Sequence, residues 1–277
     1  MELYLRPDFQ NLLFVESSRR FNLPIFDQLM SIQGEIFRDK EGRRTLRFER
    51  GGRHFYIKQH FGVGWKEIFK NLIQFRPPIL SAKTEWQAIQ AVKKLGISTL
   101  EIVGYGRRGA NPAQQQSFLV TEELTEVESL ESFCAPWEKN PPRFLLKLKL
   151  IQSVAQIAYA LHQAGLNHRD FYLCHFLIKR PYDAHFQLYL IDLHRMQRRK
   201  KIPVRWRIKD IAGLYFSSMD IGLTQKDLLR FLKYYFRAPL RTVLSQNKSL
   251  LQAVQSRAMA LYRKTHQQNV QSAARSS

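Results

Sequence analysis

The chain has 277 residues, of which 44 are Lys or Arg and 23 are Asp or Glu, so its formal net charge is +21. Hydrophobic residues make up 44% of the chain and charged residues 24%, a balance that excludes disordered and fibrous proteins. A chain of this length can form two lobes that share one active-site cleft, and its charge predicts a polyanionic partner.

A three-stranded meander is predicted in the N-terminal part of the chain. Apolar and polar residues alternate in Glu35–Arg38, Thr45–Glu49 and Arg53–Lys58, as they do in half-buried strands, and Gly42 marks the first turn. Arg43 follows that glycine and is a candidate phosphate ligand, because guanidinium groups bind phosphate well. A solvated basic turn is the alternative interpretation.

A lysine and a glutamate form a candidate nucleotide-binding pair. Lys58 ends the third predicted strand, in the strand–lysine pattern that contacts the α- and β-phosphates of ATP in kinases. Glu85 lies in the first turns of a later predicted helix, where it either holds Lys58 extended or is simply favoured near a helix N-terminus. Between them, helical spacing of apolar residues predicts an insertion helix at 65–75, which packs on the small lobe or contacts a membrane or an acidic protein.

Two further strands lead to a predicted hinge. Ile97–Tyr105 and Ser117–Thr121 are the apolar stretches that predict them, with a polar loop between. The second strand runs into Glu122 and Leu124, at the position where kinase-like folds connect their two lobes. The backbone at these two residues is therefore expected to hydrogen-bond adenine.

The chain is organised around a His-Arg-Asp sequence, residues 168–170, that follows a long amphipathic helix predicted over Phe144–Ala164. Asp192 ends the next predicted strand, and the two aspartates together have the layout of a protein-kinase catalytic loop and metal site. We expect Asp170 to accept or orient the proton of an attacking hydroxyl, and Asp192 to bind Mg²⁺. A solvated loop acid is the alternative for Asp170, but Asp192 and Lys58 argue against it.

His175 stands where protein kinases have an asparagine that binds a second metal ion. Imidazole is a poorer magnesium ligand than an amide or carboxylate oxygen. His175 is therefore expected to bind through water, to contact a phosphate group, or to leave a single firm metal site. His168 is interpreted as a core histidine that supports the loop backbone.

A basic segment follows Asp192 and extends to Lys209 without an acidic residue. Its position after the metal-binding aspartate predicts recognition of an acceptor rich in carboxylate or phosphate groups, and a solvated face or a nonspecific anion patch is the alternative. The candidate acceptor-binding residues are Arg195, Arg198, Arg199, Arg205 and Arg207.

These motifs strongly resemble the bacterial lipopolysaccharide core sugar kinases, and among them the heptose(I) kinases. The resemblance runs from about Gln33 to about Leu240. It implies an α+β fold of the protein-kinase-like, bilobal class. It predicts an N-lobe at 1–124 with an antiparallel sheet and a mainly helical C-lobe at 125–277. The motifs that carry it are Asn167–Asp170 with Tyr172, Cys174–Leu177, Ile191–Arg195, Arg205–Arg207, Lys209–Asp210, Gly213–Met219 and Ile221–Gln225.

The resemblance also implies a function. It implies that ATP and Mg²⁺ are used to phosphorylate O4 of the first heptose in the lipopolysaccharide inner core, on the cytoplasmic face of the inner membrane of a Gram-negative bacterium. It further implies that Asp210 braces the catalytic loop and that acyl carrier protein, which is small and acidic, is a partner. A kinase for 3-deoxy-manno-octulosonic acid (Kdo) or the second heptose, and a non-catalytic scaffold, remain alternatives.

The sequence also bears on nucleic-acid binding, membrane contact and the redox compartment. No nucleic-acid partner is expected, because aromatic residues do not interleave with the basic segment and no nucleic-acid-binding motif is present. No apolar run was found that approaches the ~20 residues of a membrane span, so membrane contact is expected to be peripheral. Cys134 and Cys174 are too few for a disulfide framework, which fits a reducing cytoplasm.

Overall fold

The computed structural model describes residues 1–17, 23–40, 42–62, 64–65, 81–180 and 186–276. The insertion helix predicted at 65–75 lies outside the described residues, apart from its first residue. The chain divides into two compact units, which are described separately below. The first unit is Met1–Ala91 with Thr99–Thr125, and the second is Val92–Ser98 with Glu126–Ser277.

The first unit contains a six-stranded antiparallel sheet with the strand order β1-β5-β6-β4-β3-β2. Among the described residues, helices α1, α2 and most of α3 belong to this unit. Their bounds are β1 Glu2–Leu5, α1 Pro7–Ser17, α2 Ile25–Met30, β2 Glu35–Lys40, β3 Arg43–Arg50, β4 Arg53–His60, α3 Lys83–Lys94, β5 Ile102–Arg108 and β6 Gln116–Glu122.

The core of this unit joins α1 and α2 to the sheet. Phe9 of α1 is fully buried, and its ring centroid lies 4.9 Å from that of Phe55 on β4. Phe26 of α2 packs in the same way against Phe118 of β6, at 5.2 Å. Aromatic pairs at these separations add favourable contacts to the burial of apolar area, so they fix both helices on the sheet.

The predicted meander is confirmed, and each of its strands extends beyond the predicted bounds. One later strand was placed too early, because β5 begins at Ile102 and not at Ile97. Ser98 belongs to the second unit, where it forms a bridge with Tyr189 and its carbonyl accepts a hydrogen bond from the Leu190 amide. The apolar stretch was therefore divided between two partners that the sequence did not indicate.

The second unit is mainly helical, with a three-stranded sheet in the order β10-β9-β7 and a two-stranded sheet of β11 and β8. Short 3₁₀ turns lie at Leu173–His175 and Leu193–Arg195, next to the candidate catalytic residues. The other bounds are β7 Val127–Ser129, α4 Leu130–Cys134, α5 Phe144–Gln163, β8 Leu166–Asn167, β9 Phe176–Lys179, β10 Leu188–Leu190, β11 Gln197–Arg198, α6 Val204–Ser217, α7 Gln225–Phe236, α8 Leu240–Gln246 and α9 Lys248–Ser276.

The sequence predicts a short acidic helix over Glu126–Cys134 and another helix that begins at Lys209, and both predicted starts were wrong. Residues 126–134 were expected to form one short helix, but β7 takes the first part because it pairs with β9. Ser129 then caps α4, since its hydroxyl accepts a hydrogen bond from the Ser132 amide. The helix α6 starts at Val204 rather than at Lys209, directly after Pro203, which cannot donate a backbone hydrogen bond.

The helix α5 is long and apolar enough to cross a membrane by length and hydropathy alone, with a mean hydropathy of 1.3 over an 18-residue window. This finding corrects the expectation that no apolar run approaches the length of a membrane span. The core helix of a soluble protein passes the same test, and Val154, Ala158 and Leu161 are buried within the unit. Lys147 on the same helix also pairs with Asp227 of α7, at 3.0 Å. The feature is therefore weak evidence for a membrane span.

Thr224, with Asp227 three residues later, predicts a helix start in the sequence, and a capping box of these two residues begins α7. The Thr224 hydroxyl accepts a hydrogen bond from the Asp227 amide, and Asp227 accepts one from the Thr224 amide. Asp227 is 2% exposed and also pairs with Lys147 and Arg230. Burial raises the pKa of Asp227, but the hydrogen bonds from Thr224 and Lys147 outweigh it and lower the pKa to about 2.

We expect Asp227→Asn to lower the free energy of unfolding by about 2 kcal/mol at neutral pH. Because the folded pKa is depressed, this stabilisation is present above about pH 4 and is lost as the pH falls towards 2. Urea unfolding followed by circular dichroism between pH 7 and pH 2.5 would measure both the loss and its pH dependence.

Asp220→Asn is the matched control, since that side chain is 67% exposed. Its expected cost is below about 0.5 kcal/mol. Equal losses for the two variants, or an Asp227→Asn variant with an unchanged acid dependence, would contradict a stabilising role for the buried carboxylate.

Candidate active site

In the first unit, Lys58 and Glu85 form an ion pair. Lys58 lies on β4 and Glu85 in the first turn of α3, and Nζ of the lysine is 2.6 Å from Oε1 of the glutamate. Glu85 is 5% exposed at its side chain, whereas Lys58 is 31% exposed. A buried carboxylate is stable only with a partner, so the pair holds the ammonium group of Lys58 in one position. The arrangement is the one expected from the sequence.

The predicted hinge is held by arginines. The Glu122 carboxylate accepts hydrogen bonds from Arg53, at 2.6 and 2.9 Å, and from Arg6 at 2.9 Å. The Glu122 amide donates to the Glu101 carbonyl, so this N–H is already engaged within the unit. Leu124 is partly buried just beyond β6. Adenine binding at these two residues stays a prediction.

A second hinge acid was missed by the sequence analysis. Glu123 accepts two hydrogen bonds from Arg47, at 2.8 and 3.0 Å, and one from the Tyr56 hydroxyl at 3.3 Å. Its amide also donates to the His54 carbonyl. Two consecutive acids, with arginines on two strands of the predicted meander, were the available signal. Arg43, the predicted phosphate ligand of this unit, begins β3. It directly follows Gly42, which has a positive φ of 69°.

In the second unit, α5 delivers the catalytic loop through a tight turn at Gly165. This residue has φ +74°, and a Cβ built on it would lie 1.8 Å from the Arg199 carbonyl oxygen. The Arg199 amide donates to the Gly165 carbonyl at 2.8 Å, and β8 then pairs with β11. Only glycine fits here, and the pairing brings the basic segment beside the loop.

Asp210 fixes the loop backbone. Its two carboxylate oxygens accept hydrogen bonds from the His168 amide, at 2.7 Å, and from the Arg169 amide, at 2.8 Å. The carboxylate is fully buried, and His162 lies 3.4 Å from it while contacting the Tyr235 hydroxyl. Arg169 has φ +77°, a conformation that is costly for a residue other than glycine. The bracing role expected of Asp210 is confirmed.

His168 is a structural core residue, as interpreted from the sequence. It has no exposed surface, and its Nε2 contacts the Ile191 carbonyl at 3.0 Å. Burial lowers the pKa of His168, which disfavours the charged form of the ring. It connects the catalytic loop to the strand end that precedes Asp192.

The Asp170 carboxylate faces Arg195. Nη1 of the arginine lies 3.1 Å from Oδ1 and 3.0 Å from Oδ2 of the aspartate, whose side chain is 16% exposed. Arg195 had been predicted to bind the acceptor rather than this carboxylate. A hydroxyl group that approaches Asp170 must share the carboxylate with Arg195 or displace it.

Asp192 lies between two histidines. It adopts a left-handed conformation, with φ 60° and ψ 50°, and its Oδ1 makes a short hydrogen bond with His194 Nδ1. Its Oδ2 is 3.4 Å from His175 Nε2. Left-handed residues other than glycine are uncommon and are enriched at functional sites. His194, two residues after the aspartate, was not identified from the sequence.

Both ring nitrogens of His175 face acceptors. Nδ1 donates to the Asp170 carbonyl at 2.6 Å, and Nε2 faces the Asp192 carboxylate. Burial lowers the pKa of His175, but hydrogen bonds to Cys174 and to the Asp170 carbonyl, with the charge of Asp192, raise it to about 9. These two contacts link Asp170 to Asp192, and binding of a metal ion or phosphate by His175 stays a prediction.

Magnesium would have one candidate carboxylate in this unit. In the described part of the chain, no three His, Cys, Asp or Glu side chains are grouped as a protein-only metal site requires. Mg²⁺ is usually bound by one or two carboxylates together with water and substrate phosphates. The carboxylate of Asp192, 32% exposed, fits that kind of binding.

The basic segment separates into distinct groups. Arg198 is exposed on β11, whereas Arg199 donates to the Asn167 and Gln197 side chains, each at 2.6 Å. Arg207 turns to α7, where its guanidinium lies 5.7 Å from the Tyr235 ring and 5.4 Å from the Phe236 ring. Arg205 lies over the ring of Trp206, at 5.2 Å. Acceptor binding by these residues stays a prediction.

Known proteins with similar sequences are lipopolysaccharide kinases. Residues 27–235 match the lipopolysaccharide kinase (Kdo/WaaP) family. The chain is 46% identical over 243 residues to the lipopolysaccharide core heptose(I) kinase WaaP of Escherichia coli, covering 87% of this chain and 92% of that protein. It is 48% identical over 240 residues to the WaaP of Pseudomonas aeruginosa, covering 86% and 90%.

A solved structure, described as WaaP in complex with acyl carrier protein, matches with a TM-score of 0.79 and 42% identity. The match covers 95% of this chain and 100% of that one. The predicted α+β fold of the protein-kinase-like class is confirmed by this match, as is the resemblance to core heptose kinases. The chain therefore belongs to the lipopolysaccharide kinase (Kdo/WaaP) family.

Proposed function

We propose that this chain transfers a phosphoryl group from ATP to O4 of the first heptose of the lipopolysaccharide inner core. The single strongest support is the identity of 45–48% to heptose(I) kinases over most of the chain. The catalytic loop, braced by Asp210, supplies the geometry for such a transfer in the second unit. The reaction is proposed to take place on the cytoplasmic face of the inner membrane of a Gram-negative bacterium, with the protein bound peripherally.

Each candidate residue has one role in this proposal. Asp170 contacts the acceptor hydroxyl, orients it and takes its proton, while Arg195 keeps the carboxylate in place. Asp192 would hold magnesium, which when bound neutralises charge on the phosphates. Lys58 contacts the phosphates of ATP, and Glu85 orients it. Such positioning and charge neutralisation supply most of the catalysis in phosphoryl transfer.

Lys58→Met is expected to raise the KM for ATP at least about tenfold and to lower kcat, because a charged contact to phosphate is lost. The KM for the acceptor should change little. Initial rates at varied ATP and varied acceptor would separate the two constants. Lys83→Met is the matched control in the same unit, since Lys83 pairs with Glu2 near the N-terminus, and its KM for ATP should stay within about twofold.

The decisive experiment measures transfer from labelled ATP to purified inner-core lipopolysaccharide in the presence of magnesium. Mass spectrometry of the product would locate the phosphate, and truncated acceptors that each lack one sugar would identify the site. We expect transfer to intact acceptor and none to an acceptor that ends at Kdo. Transfer to the Kdo-only acceptor would favour a kinase for that sugar.

An absence of transfer to every acceptor, from folded protein that binds ATP, would reject the heptose kinase function. The non-catalytic scaffold would then be the better description. The presence of Lys58, Glu85, Asp170 and Asp192 argues against that outcome.

We also propose acyl carrier protein as a partner, because a relative with 42% identity was solved in complex with it. The net charge of +21 complements a small acidic protein. Co-purification is expected at about 50 mM salt and is expected to be lost at about 1 M, where screening is nearly complete. Absence of the partner at every salt concentration would count against this proposal.

A further inference from the structure

Four cations surround one aromatic ring next to the catalytic loop. The side-chain charges of Arg169, Arg199, Arg205 and Lys209 lie between 5.2 and 5.8 Å from the centre of the Trp206 ring. An aromatic face attracts cations, each by about 0.5–2 kcal/mol, without adding a negative charge. Trp206 therefore allows the cations to lie together while their charge remains available to a ligand. We call these five residues the Trp206 cluster.

Two carboxylates, Asp170 and Asp210, act on this charge from nearby but do not pair with it directly. Among the described residues, none of the four cations forms an ion pair with a carboxylate within 4.0 Å. The two nearest acids are already in use, because Asp210 binds two backbone amides and Asp170 binds Arg195. The Arg199 guanidinium donates hydrogen bonds to the neutral side-chain carbonyl oxygens of Asn167 and Gln197. The cluster therefore carries an excess positive charge.

Several buried donors in the same place also lack an acceptor. Three side-chain nitrogens are inaccessible to solvent and have no hydrogen-bond partner among the residues that the structure describes: Nε of Arg169, Nε1 of Trp206 and Nδ2 of Asn167. Asn167 has no exposed surface at all, and its other side-chain atom, Oδ1, binds Arg199. Unpaired buried donors are rare because each costs about 1–3 kcal/mol, so their grouping shows that the described side chains here supply more donors than acceptors.

The backbone adds to the positive potential. Trp206 lies in the first turn of the 14-residue helix α6, which has no acidic residue in that turn and no side-chain cap. A helix N-terminus without a cap favours an anion. Burial lowers the pKa of Lys209; the charges of Asp170 and Asp210 raise it, and those of Arg169 and Arg195 lower it. The strained backbone of Arg169, fixed by Asp210, directs this side chain to the ring.

From this geometry we propose that the Trp206 cluster binds one acid group, a carboxylate or phosphate, of the acceptor beside the hydroxyl that is phosphorylated. Arg169 and Lys209 are its central specificity-determining residues. Arg195 has a different role, as the positioning residue of Asp170, and Arg207 packs on α7. The inference rests on the proposed function and adds to it which part of the acceptor is recognised and by which residues.

The test measures binding of deacylated inner-core oligosaccharide by calorimetry, without nucleotide. Lys209→Gln removes one charge, Arg169→Gln is the second variant, and Lys209→Arg keeps the charge. Lys201→Gln is the matched control, because Lys201 is an exposed lysine of the same segment. Each protein is also measured with oligosaccharide whose carboxylates are methyl-esterified, with oligosaccharide freed of phosphate, and with ATP. Circular dichroism checks that each variant is folded.

We expect Lys209→Gln and Arg169→Gln to weaken oligosaccharide binding at least about tenfold, Lys209→Arg to restore most of it, and the control to match wild type. For the form of the oligosaccharide that lacks the bound acid group, the variants and wild type should bind with equal affinity. This comparison also tells whether a carboxylate or a phosphate is bound. ATP affinity should not change.

Three results would overturn the inference. The first is unchanged oligosaccharide binding in both folded variants. The second is an equal loss of affinity for every form of the oligosaccharide. The third is a loss of ATP affinity instead, which would assign the cluster to nucleotide phosphates. The proposed function is judged separately by phosphate transfer in the wild-type protein. If wild type phosphorylates heptose while both variants bind normally, only this inference fails; if wild type neither binds nor phosphorylates the acceptor, both fail.

Discussion

Asp170→Asn is expected to lower kcat for phosphate transfer about 10³-fold while ATP binding is retained. Asparagine has nearly the same shape, but its amide cannot accept the proton of the acceptor hydroxyl. It also offers Arg195 a single oxygen, where the carboxylate offers two, at 3.1 and 3.0 Å. Single-turnover transfer from labelled ATP would measure the rate, and equilibrium binding of ATP would show that the nucleotide site is intact.

The matched control for this prediction is Asp220→Asn, at an exposed aspartate in the same unit that accepts a hydrogen bond from Tyr262. Its kcat should stay within about twofold of wild type. A loss of less than about tenfold in Asp170→Asn would mean that this carboxylate does not contact the reacting hydroxyl. The general-base role would then have to be withdrawn.

Asp210→Ala is expected to lower the free energy of unfolding by about 3–5 kcal/mol and to abolish transfer. The substitution removes the carboxylate oxygens that accept hydrogen bonds from two backbone amides. The His168 nitrogen lies 2.7 Å from one oxygen, and the Arg169 nitrogen lies 2.8 Å from the other. Each unpaired buried amide costs about 1–3 kcal/mol, and the strained Arg169 backbone loses the contact that maintains it. Urea unfolding would measure the loss.

Asp210→Asn separates positioning from folding. It retains one oxygen for one of the two amides, so the protein should fold with a smaller loss, about 1–3 kcal/mol. Transfer should still fall at least about tenfold, with kcat reduced and the KM for ATP nearly unchanged, because only the loop that carries Asp170 is displaced. A folded Asp210→Asn variant with wild-type kcat would show that the loop does not depend on the second hydrogen bond.

Local patterns in the sequence determined much of the scaffold. Strand alternation with a glycine turn was enough for β2, β3 and β4, and Thr224 with Asp227 three residues later was enough for a helix start. The Lys58–Glu85 pair was predictable because a strand end and a first helical turn each constrain where a side chain points. Resemblance to relatives supplied the role of Asp210, which no local pattern indicates.

Only the tertiary structure decided what the charged residues contact. Arg195 and Asp170 are 25 residues apart, and nothing in the basic segment distinguishes Arg195 from Arg207, which packs on aromatic rings instead. The Trp206 cluster likewise depends on the pairing of β8 with β11 and on the turn at Gly165. Side-chain partners across such distances are set by which segments become neighbours, and that depends on packing of the whole unit. The sequence by itself therefore determined the elements and the candidate chemistry, whereas long-range packing assigned a partner to each charge.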